Sequence, residues 1–196
     1  MSTVPGDNGP TAPAPPVDND AAVEPSSKEE KPLPKLTPSE FRQYNRMAVE
    51  MNRYHEHFRA MWKVVYSACE VGKRPENMSI RQFISTCKQF CQGLTFHHTI
   101  EEQHVFPILA KRMPAFKKEL ELISQHKQIH VGIDCAEKYL QECESGEREL
   151  RMQEMKEILD SFGEVLWQHL DDEVEQLGAE NMRKYWSLDE MRRIPL

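Results

Sequence analysis

At 196 residues and 39% hydrophobic content, the chain suits one folded domain with a tail rather than two full domains. A net charge of −7 offers no electrostatic basis for holding nucleic acid or an anionic membrane. No apolar run approaches the roughly 20 residues of a transmembrane helix, and MSTVPGDNGP lacks the basic start and apolar centre of a secretory signal, so the expected address is cytosolic.

Residues 1–36 carry eight of the thirteen prolines, no aromatic and almost no large apolar residue. Such a segment cannot bury enough surface to offset its ordering entropy, and a disordered tail is expected there. Thr37-Pro38-Ser39-Glu40 then supplies an N-cap, a first-turn proline and a glutamate that completes a capping box. Helix A is predicted from there to about residue 71, where VGKRPEN breaks it. Helix B opens at Ser79, capped with Gln82, and runs to about 112. Met113-Pro114 separates it from helix C, about 116–144. Helix D follows over about 148–177, closed by Gly178, and Ser187 with Glu190 marks one more short helix in a C-terminal extension over 179–196. No stretch alternates with period two, so no sheet is expected.

The apolar stripes have near-heptad spacing. They run through Met51, His55, Phe58 and Trp62 in helix A, and through Leu94, His97, Glu101, Val105 and Ile108 in helix B. Helix C contributes Ile123, His126, His130 and Ile133, and helix D contributes Leu166, His169, Glu173 and Leu177. Four such stripes with short connections predict an all-α, up-down-up-down four-helix bundle over 37–178.

Every stripe is interrupted near its middle by histidine, and two carry glutamate four residues later. Positions i and i+4 share a helix face, so His97 with Glu101 and His169 with Glu173 form two copies of one ligand device. His126 and His130 place two imidazoles on helix C, and His55 adds one from helix A. His55 and His97 lie about equally far from the A–B loop, as do Glu101 and His126 from the B–C loop. At about 1.5 Å rise per residue, antiparallel helices would bring these groups to one level. Buried carboxylates and imidazoles at one level are costly as packing, and a cation relieves that cost.

The same helices offer other pairings. His98 and Glu102 repeat the spacing of His97 and Glu101, but the stripe through Val105 and Ile108 favours His97 and sets His98 facing solvent. Met51, Phe58 and Trp62 favour His55 over His57. His104 falls on the predicted inner face two turns beyond His97, as a core or supporting residue. The five cysteines form no C-x-x-C pair and read as reduced thiols, with Cys87 and Cys91 one turn apart in the core rather than as half a metal site. With no thiolate in the set, imidazoles and carboxylates from four helices suit iron or manganese better than structural zinc.

The pattern resembles the hemerythrin-like, or HHE cation-binding, family. The residues that carry the resemblance are His55; His97-x-x-x-Glu101 with Phe106-Pro107 behind it; His126; and His169-x-x-x-Glu173, with His130 matching the H-x-x-x-H of oxygen carriers. Oxygen carriers of that family close with H-x-x-x-x-D, whereas Glu173 sits at the fourth position, the ordinary form in the wider family. The resemblance implies a non-haem di-iron centre held by His55, His97, Glu101, His126, His130, His169 and Glu173, with the two glutamates bridging two iron ions. Filling both coordination spheres leaves one place for a small diatomic ligand. That implies an O2-, NO- or iron-binding protein for storage, sensing or detoxification. The alternative is an oxygen-activating di-iron oxidase or peroxidase. The histidine-rich set, with no E-x-x-H pair in a core stripe, favours binding over catalysis.

Overall fold

In the computed structural model, residues 33–117 and 121–194 are described. The tail expected over 1–36 therefore lies, up to residue 32, outside the described residues. Helix α1, Pro38–Tyr44, starts as the capping box dictates: Thr37 Oγ1 accepts from the Glu40 N–H at 3.3 Å, and Glu40 Oε2 accepts from the Thr37 N–H at 2.8 Å. At Asn45 the predicted helix A is divided, because the Asn45 side chain turns away to accept the Ala179 N–H at 3.1 Å. The chain continues as α2, Arg46–Val71, and ends at Gly72, whose φ of 71° suits a residue without Cβ.

Helix α3, Ile80–Ile100, begins at the Ser79–Gln82 capping box. The single regular helix predicted over 79–112 does not form. At Glu101–Val105 the backbone widens into a π-turn, in which the Phe106 N–H bonds to Glu101 O, and α4, Phe106–Leu109, follows. Pro107 accounts for the irregularity. It has no N–H to give to the carbonyl of Gln103, and its ring would crowd that carbonyl in a regular helix.

A short 3₁₀ turn at Pro114–Phe116 precedes α5, Glu121–Ser145, and α6 spans Met152–Gln176. Gly178 caps the next helix rather than closing the last: its ψ of 152° makes it extended, and it opens α7, Ala179–Tyr185. Ser187 and Glu190 form the capping box of α8, Leu188–Met191. Among the described residues there is no strand, and no helix is long and apolar enough to cross a membrane.

The long helices pack α2 on α3, α3 on α5, α5 on α6, and α6 back on α2. Their inner faces form two apolar clusters. The larger holds Trp62, Phe90, Leu94, Ile133, Leu159 and Phe162. The smaller gathers Met47, Phe106, Leu109, Leu122, Leu177 and Met182 with Trp186, just past α7, and Met191 of α8. Arg112 fixes that end. It donates to both Glu190 carboxylate oxygens, at 2.9 and 2.5 Å, and to Tyr185 O at 3.0 Å, with its guanidinium 4.8 Å from the Trp186 ring.

Between the clusters runs a layer of buried polar groups. Along α2, His55 separates Met51 from Phe58. Along α5, Gln125 and His126 separate Leu122 from Ile129. Along α6, His169 and Glu173 fall between Leu166 and Leu177, and along α3 and the π-turn that follows it His98 and Glu101 fall between Leu94 and Phe106.

Candidate metal centre

Three of the buried imidazoles of this layer are oriented from behind, and His98 is held by ring stacking alone. His55 Nδ1 lies 3.1 Å from Leu170 O, a group that only accepts, so Nδ1 carries the hydrogen and Nε2 a bare lone pair. His126 Nδ1 lies 2.7 Å from Glu102 Oε1. His169 Nδ1 lies 3.2 Å from Gln125 Oε1, and the amide is fixed that way round because Gln125 Nε2 donates to Asp172 Oδ2 at 2.8 Å. All three Nε2 lone pairs are thereby directed into the same space.

What they meet there is not a donor. His126 Nε2 and His169 Nε2 are 3.1 Å apart, each with its hydrogen on the other ring nitrogen. His55 Nε2 faces Glu173 Oε2 at 3.4 Å, and His126 Nε2 faces Glu101 Oε2 at 3.5 Å. His97 Nε2 sits 2.8 Å from Glu101 Oε1 without the alignment of a hydrogen bond. Both carboxylate oxygens of Glu101 and of Glu173, both ring nitrogens of His98, and Nε2 of His55 and His97 are buried without a hydrogen-bond partner. Acceptors turned toward acceptors in a dry core are expensive, and a shared cation is the direct remedy.

Two overlapping groups meet the distance requirement, with one donor atom from each member inside 4.8 Å of the others. One is His55, His97, Glu101 and Glu173; the other is His98, Glu101, His126 and His169. Glu101 belongs to both. The residues present therefore fit a cation site.

The electrostatics favour the ligand form of the imidazoles. Burial holds His98 well below the usual imidazole range, and it lowers His97 to about 4 and His169 to about 3. Burial also lowers His126, against the pull of Glu102. Neutral imidazole is the form that binds metal. Burial, with Glu173 beside it, pushes the Glu101 carboxyl well up. Burial raises Glu173 too, but His55 and His169 outweigh it and hold that carboxyl low.

The expectations for individual residues divide. His55, His97, Glu101, His126, His169 and Glu173 lie together in the two groups. His130 does not: it is half-buried, in neither group, and its ring stands 5.3 Å from that of His98. The solvent-facing orientation expected for His98 is wrong. His98 is fully buried, stacked 4.0 Å from the His126 ring and 5.3 Å from that of His169, on the side where His130 was expected.

The π-turn is the cause. It inserts one residue into the helical register, so the inner stripe passes from Glu101 to the buried Phe106 and Leu109, not to Val105 and Ile108. His97 then faces α2, with its ring 5.3 Å from His55, while His98 faces α5. Pro107 inside the run was the signal for this shift. The same shift places His104 at the surface, not on the inner face, and turns the exposed Glu102 toward His126. His57 is exposed and His55 buried. Cys69, Cys87 and Cys91 are buried free thiols in the apolar cluster, outside both groups.

A comparison with protein families matches residues 46–179, from the start of α2 into α7, to the hemerythrin HHE cation binding domain. Comparisons with curated proteins and with solved structures found no match. With that match spanning more than half of its length, and a histidine–glutamate cluster that fits a metal at its centre, the chain belongs to the hemerythrin family of HHE cation-binding domains.

Proposed function

We propose that the chain is a non-haem di-iron protein in an up-down-up-down four-helix bundle, which binds O2, NO or iron itself for storage, sensing or detoxification. The observation that carries this reading is the convergence of lone pairs. Three imidazoles with their hydrogens held at Nδ1 direct Nε2 at one another and at two carboxylates that have no other partner. The proposed ligands are His55, His97, Glu101, His126, His169 and Glu173, joined by His98 in the role expected of His130.

Imidazole and carboxylate donors without thiolate suit iron, and Glu101, common to both groups, is the proposed bridge. Iron held there supplies reversible affinity for a small diatomic ligand. The protein's part is to exclude water and to keep the imidazoles neutral, which the burial of His97, His98 and His169 favours. A histidine-rich set favours binding over oxygen activation.

The test is spectroscopic. The reduced, iron-loaded protein is exposed to O2 and, separately, to NO, and the gas is then removed. The expected result is a new absorption spectrum that reverts on removal. Continuous O2 consumption, with a spectrum that never reverts, would replace binding by the oxidase or peroxidase reading.

A further inference from the structure

Most of the buried cluster is sealed: His55, His98, His126, His169 and Glu173 have no exposed surface. His97 is different. Its side chain keeps 11% exposure, through a groove between α2 and α3 with a volume of about 550 Å³. That volume lies within the range of small-molecule sites, about 300–1,000 Å³, and far exceeds what a diatomic gas needs.

The walls define the chemistry of an occupant. Tyr54, Phe58 and Phe96 line the groove with aromatic surface, Met47 and Met51 add adaptable thioethers, and Gly93 leaves the α3 side without a side chain. Tyr54 and Phe96 are 52% and 68% exposed, so two large aromatic rings stand uncovered on opposite lips. Charge at the rim is already cancelled. Arg53 pairs with Glu50 at 2.9 Å and lies 5.1 Å over the Tyr54 ring, leaving no cation for an acidic ligand. The inner end is polar at His97, whose side chain keeps an exposed edge, while the Glu101 oxygens behind it are buried. An uncharged aromatic body with one hydroxyl matches this sequence of surfaces.

We propose that the groove between α2 and α3 binds a neutral aromatic alcohol of the phenol class, its ring between Tyr54 and Phe96 and its hydroxyl toward the His97 end. This goes beyond the binding of a diatomic ligand. The groove's aromatic walls lie outside the proposed metal ligands, so the two readings can fail separately.

The experiment is a fluorescence titration of the full-length protein with β-naphthol, with metal content measured on the same samples. Saturable binding is expected. Tyr54→Ala with Phe96→Ala should weaken it by about tenfold or more, at unchanged metal content and helicity, because both lips are lost. Gly93→Leu, which fills the groove beside Phe58, should abolish it, while Val131→Ala, an exposed apolar residue on α5, should leave it intact. Non-saturable binding, or binding indifferent to the lip variants, overturns the proposal. So does concentration-dependent self-association of the wild type that the lip variants abolish, since the lips would then be covered by a second copy.

Discussion

A histidine is a ligand only when something decides which of its nitrogens is bare. Leu170 O does this for His55, Gln125 for His169, and Glu102 for His126. Glu102 differs from the other two because its side chain is 43% exposed, and it stabilises the buried ring from the solvent side. Glu102→Gln can still accept a hydrogen bond but removes the charge behind His126. The expected outcome is an intact fold by circular dichroism, with iron affinity lowered on the order of 10-fold or more in a competition with a chelator. Unchanged affinity would mean that Gln125 and Leu170 suffice to orient the cluster.

At this scale the sequence was most legible where the helix is regular. The stripes of α2 and α6 place His55, His169 and Glu173 inward by simple periodicity, and those residues are buried. The same arithmetic misplaced His98 and His104, because a stripe counted through the π-turn to Val105 and Ile108 is out of step by one residue, about 100° around the axis.

Among the elements, the π-turn is the feature that positions the site. It begins just after two adjacent histidines of α3 that serve different neighbours, His97 toward α2 and His98 toward α5, and it sets Phe106 rather than Val105 on the inner stripe. Capping boxes at Thr37, Ser79 and Ser187 follow from short-range chemistry and could be read from the sequence. The division of helix A at Asn45 could not, because it depends on a partner at Ala179, far along the chain. Helix spacing was equally hidden. A Cβ built on Gly132 of α5 would stand 2.2 Å from Cδ1 of Phe162 on α6, a fully enclosed ring that cannot step aside. Gly132→Ala is therefore expected to destabilise the fold by about 3 kcal/mol or more. In a thermal melt that corresponds to a fall of about 2–4 °C for each kcal/mol. An unchanged melting temperature would show that α5 and α6 can separate at no cost.

For the whole molecule, the polar layer between two apolar clusters sets the response to acid. In the cation-free protein, burial lowers His97 to about 4 and His169 to about 3, from an ordinary value of 6.5 once unfolded. His98 and His126 are lowered in the same direction. Below pH 6.5 the unfolded chain thus takes up protons that the fold refuses, and stability falls as pH falls. Glu101, with its raised value, opposes this by binding a proton in the fold first, but one carboxyl acts against several imidazoles. Urea midpoints of the cation-free protein should decline steadily from pH 6.5 toward 4. A flat profile over that range would mean that the imidazoles are solvated.

The arrangement of that layer leads to one central claim, that His98 rather than His130 completes the cation site. Metal analysis of purified protein tests it most directly, comparing wild type with His98→Ala and His130→Ala, each checked for helicity. The expected result is about two irons per chain in wild type and in His130→Ala, and a marked loss in His98→Ala. A folded wild type without metal, or loss in His130→Ala with retention in His98→Ala, would contradict it.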